Sequence, residues 1–310
     1  EPVPDQFNLQ KYIMQDGDVM WQAEFLSGEG DSIDALTFRS GAAAQAIFDE
    51  DYDQIELEEE WQEEGIKMER AHKYEFEGKV RYSEIDHRAT MTLPALINYF
   101  QDCSTFQSEQ LGYGMDVLKK EKKAWVLAYW QVIVKRYPKL CERITVGTFA
   151  SGFKGMFGNR NFYMKDESGE QIACANSIWV YMDVEKGKPV RVDKEQAEAY
   201  GIDEPLEMPY EDRKIEEAES YEEKAPFPVR KYHIDTNEHV NNCQYVQMAL
   251  EVLPRDILVS QVRVDYKKSA VLGDKIFPET AQKKDRVIVR LCDEDRKPYA
   301  VIEFKTGCRS

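Results

Sequence analysis

From Tyr74 onward, apolar and polar residues fall into two alternating periods. Residues 75–82 fit a strand that leads into Asp86. Leu93, Leu96, Ile97, Phe100, Cys103 and Phe106 keep the 3–4 spacing of a buried helical stripe, which predicts a long helix over residues 93–111 that ends at Gly112. Strand signals follow at residues 124–134, 144–150, 161–165 and 172–182, with Asp166-Glu167-Ser168-Gly169-Glu170 as a hairpin turn. Residues 187–226 break the pattern: Pro189, Pro205, Pro209 and Pro226 bracket a run of acids, with a short helical stretch at 194–200, so this reads as a connector. The pattern then restarts. Val229-Arg230 leads to Ile234-Asp235, a helix fits 242–253 up to Pro254, and strands fit 258–267, 275–282, 287–292 and 299–305.

This restart is an internal repeat. Val80-Arg81 and Ile85-Asp86 return as Val229-Arg230 and Ile234-Asp235, each 149 positions later and each ahead of the one long helix of its half. A long apolar helix followed by antiparallel strands predicts an α+β fold, a sheet wrapped around a central helix, made twice. Residues 68–188 are expected to form the first domain, 189–226 the linker and 227–310 the second domain.

The 310 residues carry a net charge of −17, unevenly spread. Residues 1–67 hold 18 acidic and 3 basic side chains, leaving the remainder close to neutral. Such asymmetry marks a separate acidic segment, and Met68 is a natural start for the remainder of the chain. Within 1–67, residues 19–26 fit a strand, Ser27-Gly28-Glu29-Gly30 a turn, 40–48 a helix and 49–64 a solvated acidic run. The overall field repels phosphates, which argues against nucleic acid or anionic membrane as partner. No stretch of 18 apolar residues is present, so no membrane span is expected, nor is there a leader of secretory type. The six cysteines form no CxxC pair and read as small buried hydrophobes of a reduced, intracellular protein.

The candidate chemistry sits at Asp235, Asn237 and His239, two apart and just before a helix. In extended backbone all three would face one side. Asn241 and Asn242 both suit the N-cap, and the free amides behind them form a partial positive pole able to stabilise an oxyanion. His239 is the best general base, because its ordinary pKa lies near neutrality. Asn237 can hold a carbonyl or a water, and Asp235 can orient a neighbour or activate water. A polar loop that merely caps a helix fits the same residues. His72, His87 and His233 lack metal-ligand spacing, so no metal is expected. Nucleophile-elbow, phosphate-loop and dinucleotide motifs are absent. The glycine-rich, basic stretch from Ser151 to Arg160 reads either as an irregular hairpin loop or as a docking surface, with Lys154 and Arg160 its cations.

Taken together, Asp235-Thr236-Asn237-Glu238-His239-Val240-Asn241-Asn242-Cys243-Gln244-Tyr245 resembles the D-x-N-x-H-V-N-N-x-x-Y signature of the acyl-ACP thioesterases of plants and bacteria. Leu250-Glu251-Val252-Leu253-Pro254 resembles that family's L-E-x-x-P helix end, and Trp179-Val180-Tyr181-Met182-Asp183 its first-half W-V-x-M-D strand. Phe149-Ala150-Ser151-Gly152 and Arg160 are similar to its inter-strand loop. The resemblance spans residues 70–308. It implies a double hotdog, with the first domain lining an acyl pocket (Leu96, Phe100, Trp125 and Tyr129 are the candidates) and the second holding Asp235, Asn237 and His239. It implies hydrolysis of fatty acyl thioesters on acyl carrier protein, without a cofactor, in the bacterial cytoplasm or a plant plastid, by a monomer or homodimer. An acyl-CoA thioesterase of the same fold and a weakly active acyl-binding module remain open. One departure matters: Tyr266-Lys267-Lys268-Ser269-Ala270 puts Ser269 where the family has Glu, and Ala270 where some members have Cys. A cysteine nucleophile is therefore not expected, and activated water takes its place.

Overall fold

The computed structural model describes residues 6–13, 19–26, 32–38 and 72–306. The chain divides into two compact units, Glu1–Ile66 and Lys67–Ser310. In the first, β1 (Gln6–Ile13), β2 (Val19–Leu26) and β3 (Ser32–Phe38) form an antiparallel sheet in that order. β2 is the strand expected at 19–26. The alternation of Phe7, Leu9 and Ile13 with polar residues is the signal for β1. The turn expected at 27–30, the helix at 40–48 and the acidic run at 49–64 lie outside the described residues.

The second unit is built on one long antiparallel sheet. Its first half contains β4 (Tyr74–Lys79), α1 (Leu93–Gln110), α2 (Met115–Glu121), β5 (Lys123–Val134), β6 (Arg143–Lys154), β7 (Phe157–Asp166) and β8 (Gln171–Asp183). Short β9 (Lys188–Pro189), α3 (Lys194–Tyr200), β10 (Glu222–Glu223) and β11 (Phe227–Pro228) lead to the second half. That half contains α4 (Asn242–Glu251), β12 (Val259–Tyr266), β13 (Lys275–Lys283), β14 (Arg286–Cys292) and β15 (Pro298–Thr306). The strand order is β10-β13-β14-β15-β12-β5-β8-β7-β6-β4. The halves join through β5 and β12, paired from Ile133–Gln261 to Tyr129–Asp265. Each half wraps its strands around one long helix, and together they make the double hotdog. Among the described residues no helix is long and apolar enough to cross a membrane.

The repeat holds in three dimensions. Single 3-10 turns at Tyr82–Glu84 and Lys231–His233 stand at equivalent positions. Ala89 and Glu238, 149 apart, both take the left-handed conformation, with φ of 58° and 61°. Thr92 caps α1 where Asn241 caps α4. The Cys243 thiol donates to the Pro94 carbonyl, its own repeat equivalent, at 3.2 Å. A pseudo-twofold axis therefore passes between the N-terminal ends of the two helices.

Alternation along β5 separates the faces of the sheet. Trp130, Val132 and Val134 share one buried core with Leu96, Ile97 and Phe100 of α1 and with Val246 and Ala249 of α4. Phe162 closes this core, its ring 5.3 Å from that of Phe100 and 5.6 Å from that of Trp130. On α1 the buried stripe continues through Ser104 and Gln107, while Phe106 is exposed. The 3.6-residue turn carries the stripe past Phe106 whatever its hydrophobicity.

The opposite face meets the connector, which is a strap and not a free linker. Gln131 donates to the Pro209 carbonyl at 2.7 Å and accepts from the Glu211 amide at 3.1 Å. Apolar residues of the strap find places on the sheet: half-buried Leu206 packs on Phe149 and Tyr163, and buried Ile215 and half-buried Tyr221 pack with Ile288 and Val301. Under it lies an ionic cluster. Arg263 pairs with Glu303 at 2.9 Å, the two side chains being 6 % and 5 % exposed, and also donates to the Asp212 carbonyl at 2.7 Å. Arg286 bridges Glu211 and Glu303 at 2.8 and 2.7 Å.

Removing one member of a buried pair leaves the other charge uncompensated. Arg263→Ala is expected to lower the stability of this unit by about 3 kcal/mol, read as a lower urea midpoint at unchanged slope. An unchanged midpoint would show that the strap network does not hold the sheet.

Candidate active site

The turn that carries the candidate residues is built from its backbone outward. The Arg230 amide donates to His233 Nδ1 at 3.0 Å, closing the 3-10 turn Lys231–His233. Ile234 and Val240 then form an isolated antiparallel bridge, and the Asp235 amide donates to the His239 carbonyl at 2.8 Å. Inside this loop Asp235 Oδ1 accepts the amides of Asn237 at 2.8 Å and His239 at 3.4 Å. Glu238 takes φ of 61° to make the reversal. This is an Asx turn, a geometry for which Asp and Asn are favoured because their short side chains cap their own backbone.

The expectation of an extended chain with three side chains on one face is therefore corrected. One Asp235 oxygen is turned onto the backbone, while Asn237 and His239 stand exposed at the tip and far limb of the turn. His239 bridges Val271, and the Val240 amide donates to the Ala270 carbonyl at 2.9 Å. Ser269 is exposed at the head of that neighbouring segment. Backbone pairing thus sets the segment of Ser269 beside the turn that carries Asp235, Asn237 and His239, and the two together form one rim of the chain. Asn241 is the N-cap, its Oδ1 accepting the Cys243 amide at 2.9 Å, whereas Asn242 is the first helical residue and its carbonyl accepts from the Tyr266 hydroxyl at 3.0 Å. The free amides at the start of α4 are presented beside the turn, a favourable place for negative charge.

The first half also reaches this rim. Gln101 Nε2 on α1 lies 3.4 Å from Asn241 Oδ1, and the Thr236 hydroxyl lies 3.8 Å from the Met115 sulfur at the start of α2. Neither Gln101 nor Met115 stands out in the sequence. The available signal for Gln101 was the repeat, which sets it opposite Leu250.

The other expected residues divide. Leu96 and Phe100 are buried on the core face of α1. Trp125 lies in an aromatic group, 4.8 Å from the Tyr181 ring and 6.2 Å from Phe153. Tyr129 is corrected: it faces the strap, its hydroxyl donating to the Glu211 carbonyl at 3.3 Å, because it sits on the other parity of β5 from Trp130. Arg160 is corrected as well. It is buried, bonded to Gln107 and to Thr148 Oγ1, with the Tyr200 ring 5.2 Å away, so it cannot face a docking partner. Ser151 to Arg160 is not an irregular loop: β6 and β7 run on to Lys154 and Phe157 and turn at Gly155-Met156. Lys154, half-buried, ends β6 at that turn.

Burial pushes the Cys243 thiol up to about 12, so it stays protonated beside the turn. Four of the five described cysteines are buried as expected, but Cys141 is exposed at φ of 69°. Cys308 lies outside the described residues.

Comparison with known proteins adds three findings. Residues 71–200 match the family described as acyl-ACP thioesterase N-terminal domain, 215–301 that described as acyl-ACP thioesterase C-terminal domain, and 1–89 that described as MsyB protein. The acidic protein MsyB of Escherichia coli is 59 % identical over 59 residues, covering 19 % of this chain and 48 % of its own. The chloroplastic palmitoyl-acyl carrier protein thioesterase of Cuphea hookeriana is 28 % identical over 200 residues, covering 59 % of this chain and 47 % of its own. The chain thus spans about half the length of these curated relatives. A solved acyl-ACP thioesterase from Bacteroides thetaiotaomicron superposes with a TM-score of 0.70 at 20 % identity, covering 76 % of this chain and 98 % of that one, a likeness of fold.

His233 makes the turn pH-sensitive. Burial, then the Arg230 charge, lowers its pKa from the ordinary 6.5, and its Nδ1 must stay unprotonated to accept the Arg230 amide. A lowered folded pKa means that the unfolded chain binds more protons near that pH, so this contribution is full above 6.5 and is lost as the pH falls below it. Unfolding monitored between pH 7.5 and 5.5 is expected to show declining stability, with a shallower decline in His233→Gln. Equal slopes would remove His233 as a cause.

Proposed function

From residue 71 onward the chain belongs to the acyl-ACP thioesterase family, and on that premise we propose that it hydrolyses fatty acyl thioesters carried on acyl carrier protein, releasing the free fatty acid. The observation that carries this reading is the Asx turn. The fold builds it twice, at Asp86 and at Asp235, with the same pattern of bonds. Only the second copy carries chemistry: where Asn237 and His239 stand, the first has Arg88 and Thr90.

The mechanism follows from the groups at the rim. His239 takes a proton from water as the water oxygen attacks the thioester carbonyl. The tetrahedral oxyanion is stabilised by the Asn237 amide and the N-terminal pole of α4 behind Asn241 and Asn242. Collapse expels the thiolate of the carrier, which receives the proton back from His239. Asp235 holds the turn. Ser269 stands where a carboxylate would strengthen the base, and its hydroxyl is a poorer partner for an imidazolium. Residues 68–188 shape the acyl pocket with Leu96, Phe100 and Trp125, 189–226 link the halves, and 227–310 carry the reaction. The activity belongs where acyl carrier protein is found, the cytoplasm of a bacterium or the plastid of a plant. The negative charge of residues 1–67 tells against their recruiting an acidic carrier.

His239→Ala is expected to lower kcat with acyl-ACP by a factor of about 100 or more, measured as fatty acid released; retained activity removes His239 from the mechanism. Equal kcat/KM for acyl-CoA and acyl-ACP would turn the reading toward a general acyl thioesterase. Ser269→Glu is expected to raise kcat, and an unchanged turnover counts against any role for that position.

A further inference from the structure

The two halves repeat so faithfully that a break in the repeat near the rim is informative. Both long helices open on a polar N-cap. Thr92 Oγ1 accepts the Ala95 amide at 3.3 Å on α1, and Asn241 Oδ1 accepts the Cys243 amide at 2.9 Å on α4. The difference lies in what faces each cap from across the pseudo-twofold. Gln101 on α1 reaches Asn241 Oδ1 at 3.4 Å while also bonding Asn98 Oδ1 at 3.2 Å. Its repeat equivalent on α4 is Leu250, a half-buried apolar residue packed on the core. Among the described residues, Thr92 therefore receives no side-chain donor from α4. An amide crosses the interface only toward the cap that follows Asn237 and His239.

We propose that Gln101 is a positioning residue of the thioester site, supplied by the half that lacks the catalytic signature. It acts through Asn241. The Asn241 amide is held by the His233 carbonyl at 2.9 Å, and its side chain caps α4, so this residue sets where the helix pole begins relative to His239, two residues earlier. Gln101 fixes the rotation of that side chain from outside. The pairing lies at the same junction of the two helices as the Cys243–Pro94 contact.

The inference rests on the thioesterase reading, and one set of assays separates the two. Gln101→Leu inserts the residue that the repeat itself carries at 250. It is expected to lower kcat for acyl-ACP about tenfold, with KM within a factor of two and an unchanged unfolding midpoint. Because Gln101 acts through Asn241, Gln101→Leu with Asn241→Ala is expected to lose little more than Asn241→Ala alone. Full kcat in Gln101→Leu, or losses that multiply in the double variant, overturn the inference. If Gln101→Leu lowers the midpoint, Gln101→Met keeps the length without charge but loses the donor, and the same kcat loss is expected; full activity there overturns the inference too. An active His239→Ala chain sinks the reading and the inference together. An inactive His239→Ala chain beside a fully active Gln101→Leu chain sinks the inference alone.

Discussion

The carboxylate of Asp235, folded back onto the amides of Asn237 and His239, is the interaction on which the rest of the site depends. Backbone amides in a tight reversal need acceptors, and a side-chain oxygen two residues upstream supplies one without lengthening the loop. Once that bond is made, Glu238 must turn left-handed, His239 meets Val271, and Asn241 arrives in place to cap α4. The exposed imidazole and amide are thus mounted on a rigid turn beside a helix pole, an arrangement suited to a developing oxyanion.

The same bonds recur at Asp86, where Arg88 and Thr90 stand in place of Asn237 and His239. There Oδ1 accepts Arg88 at 2.9 Å and Thr90 at 3.3 Å, and the chain again proceeds to a capped helix. A carboxylate that makes the same bonds beside Arg88 and Thr90 as beside Asn237 and His239 holds the backbone in both copies. The halves then specialise around a common frame. α1 has 18 residues and α4 only 10, α2 occurs in the first half, and Gln101 bonds Asn241 while its repeat equivalent is the apolar Leu250. β5 and β12 join the halves within the sheet, and the ionic cluster around Arg263 fastens the strap across one face of it.

Much of this was legible in the sequence because periodicity reports burial. Leu96, Ile97 and Phe100 announced α1, and the offset of 149 announced the second copy. The limits expected at 93–111, 194–200 and 242–253 match the observed helices to within a few residues, whereas α2 was not expected. The features that escaped depended on facing and on partners far along the chain. Tyr129 has the chemistry of a pocket residue, yet the parity of β5 turns it to the strap. Arg160 has the charge of a docking residue, yet Gln107 and Thr148 bury it. The proline-rich stretch after residue 187 looks like a connector because its apolar residues are few, and only the sheet shows that Leu206, Ile215 and Tyr221 have somewhere to pack. Spacing also placed Asp235, Asn237 and His239 together for the wrong reason: a turn joins them, not an extended strand.

Substitution of Asp235 separates the two ways in which it could serve the reaction. Asn keeps the side-chain oxygen that accepts the two amides but removes the charge, whereas Ala removes both. If Asp235 holds the turn, Asp235→Asn retains most of the kcat for acyl-ACP hydrolysis and Asp235→Ala loses it together with local stability. If Asp235→Asn is folded and as inactive as Asp235→Ala, the carboxylate itself takes part in the chemistry, and the turn-holding role is wrong.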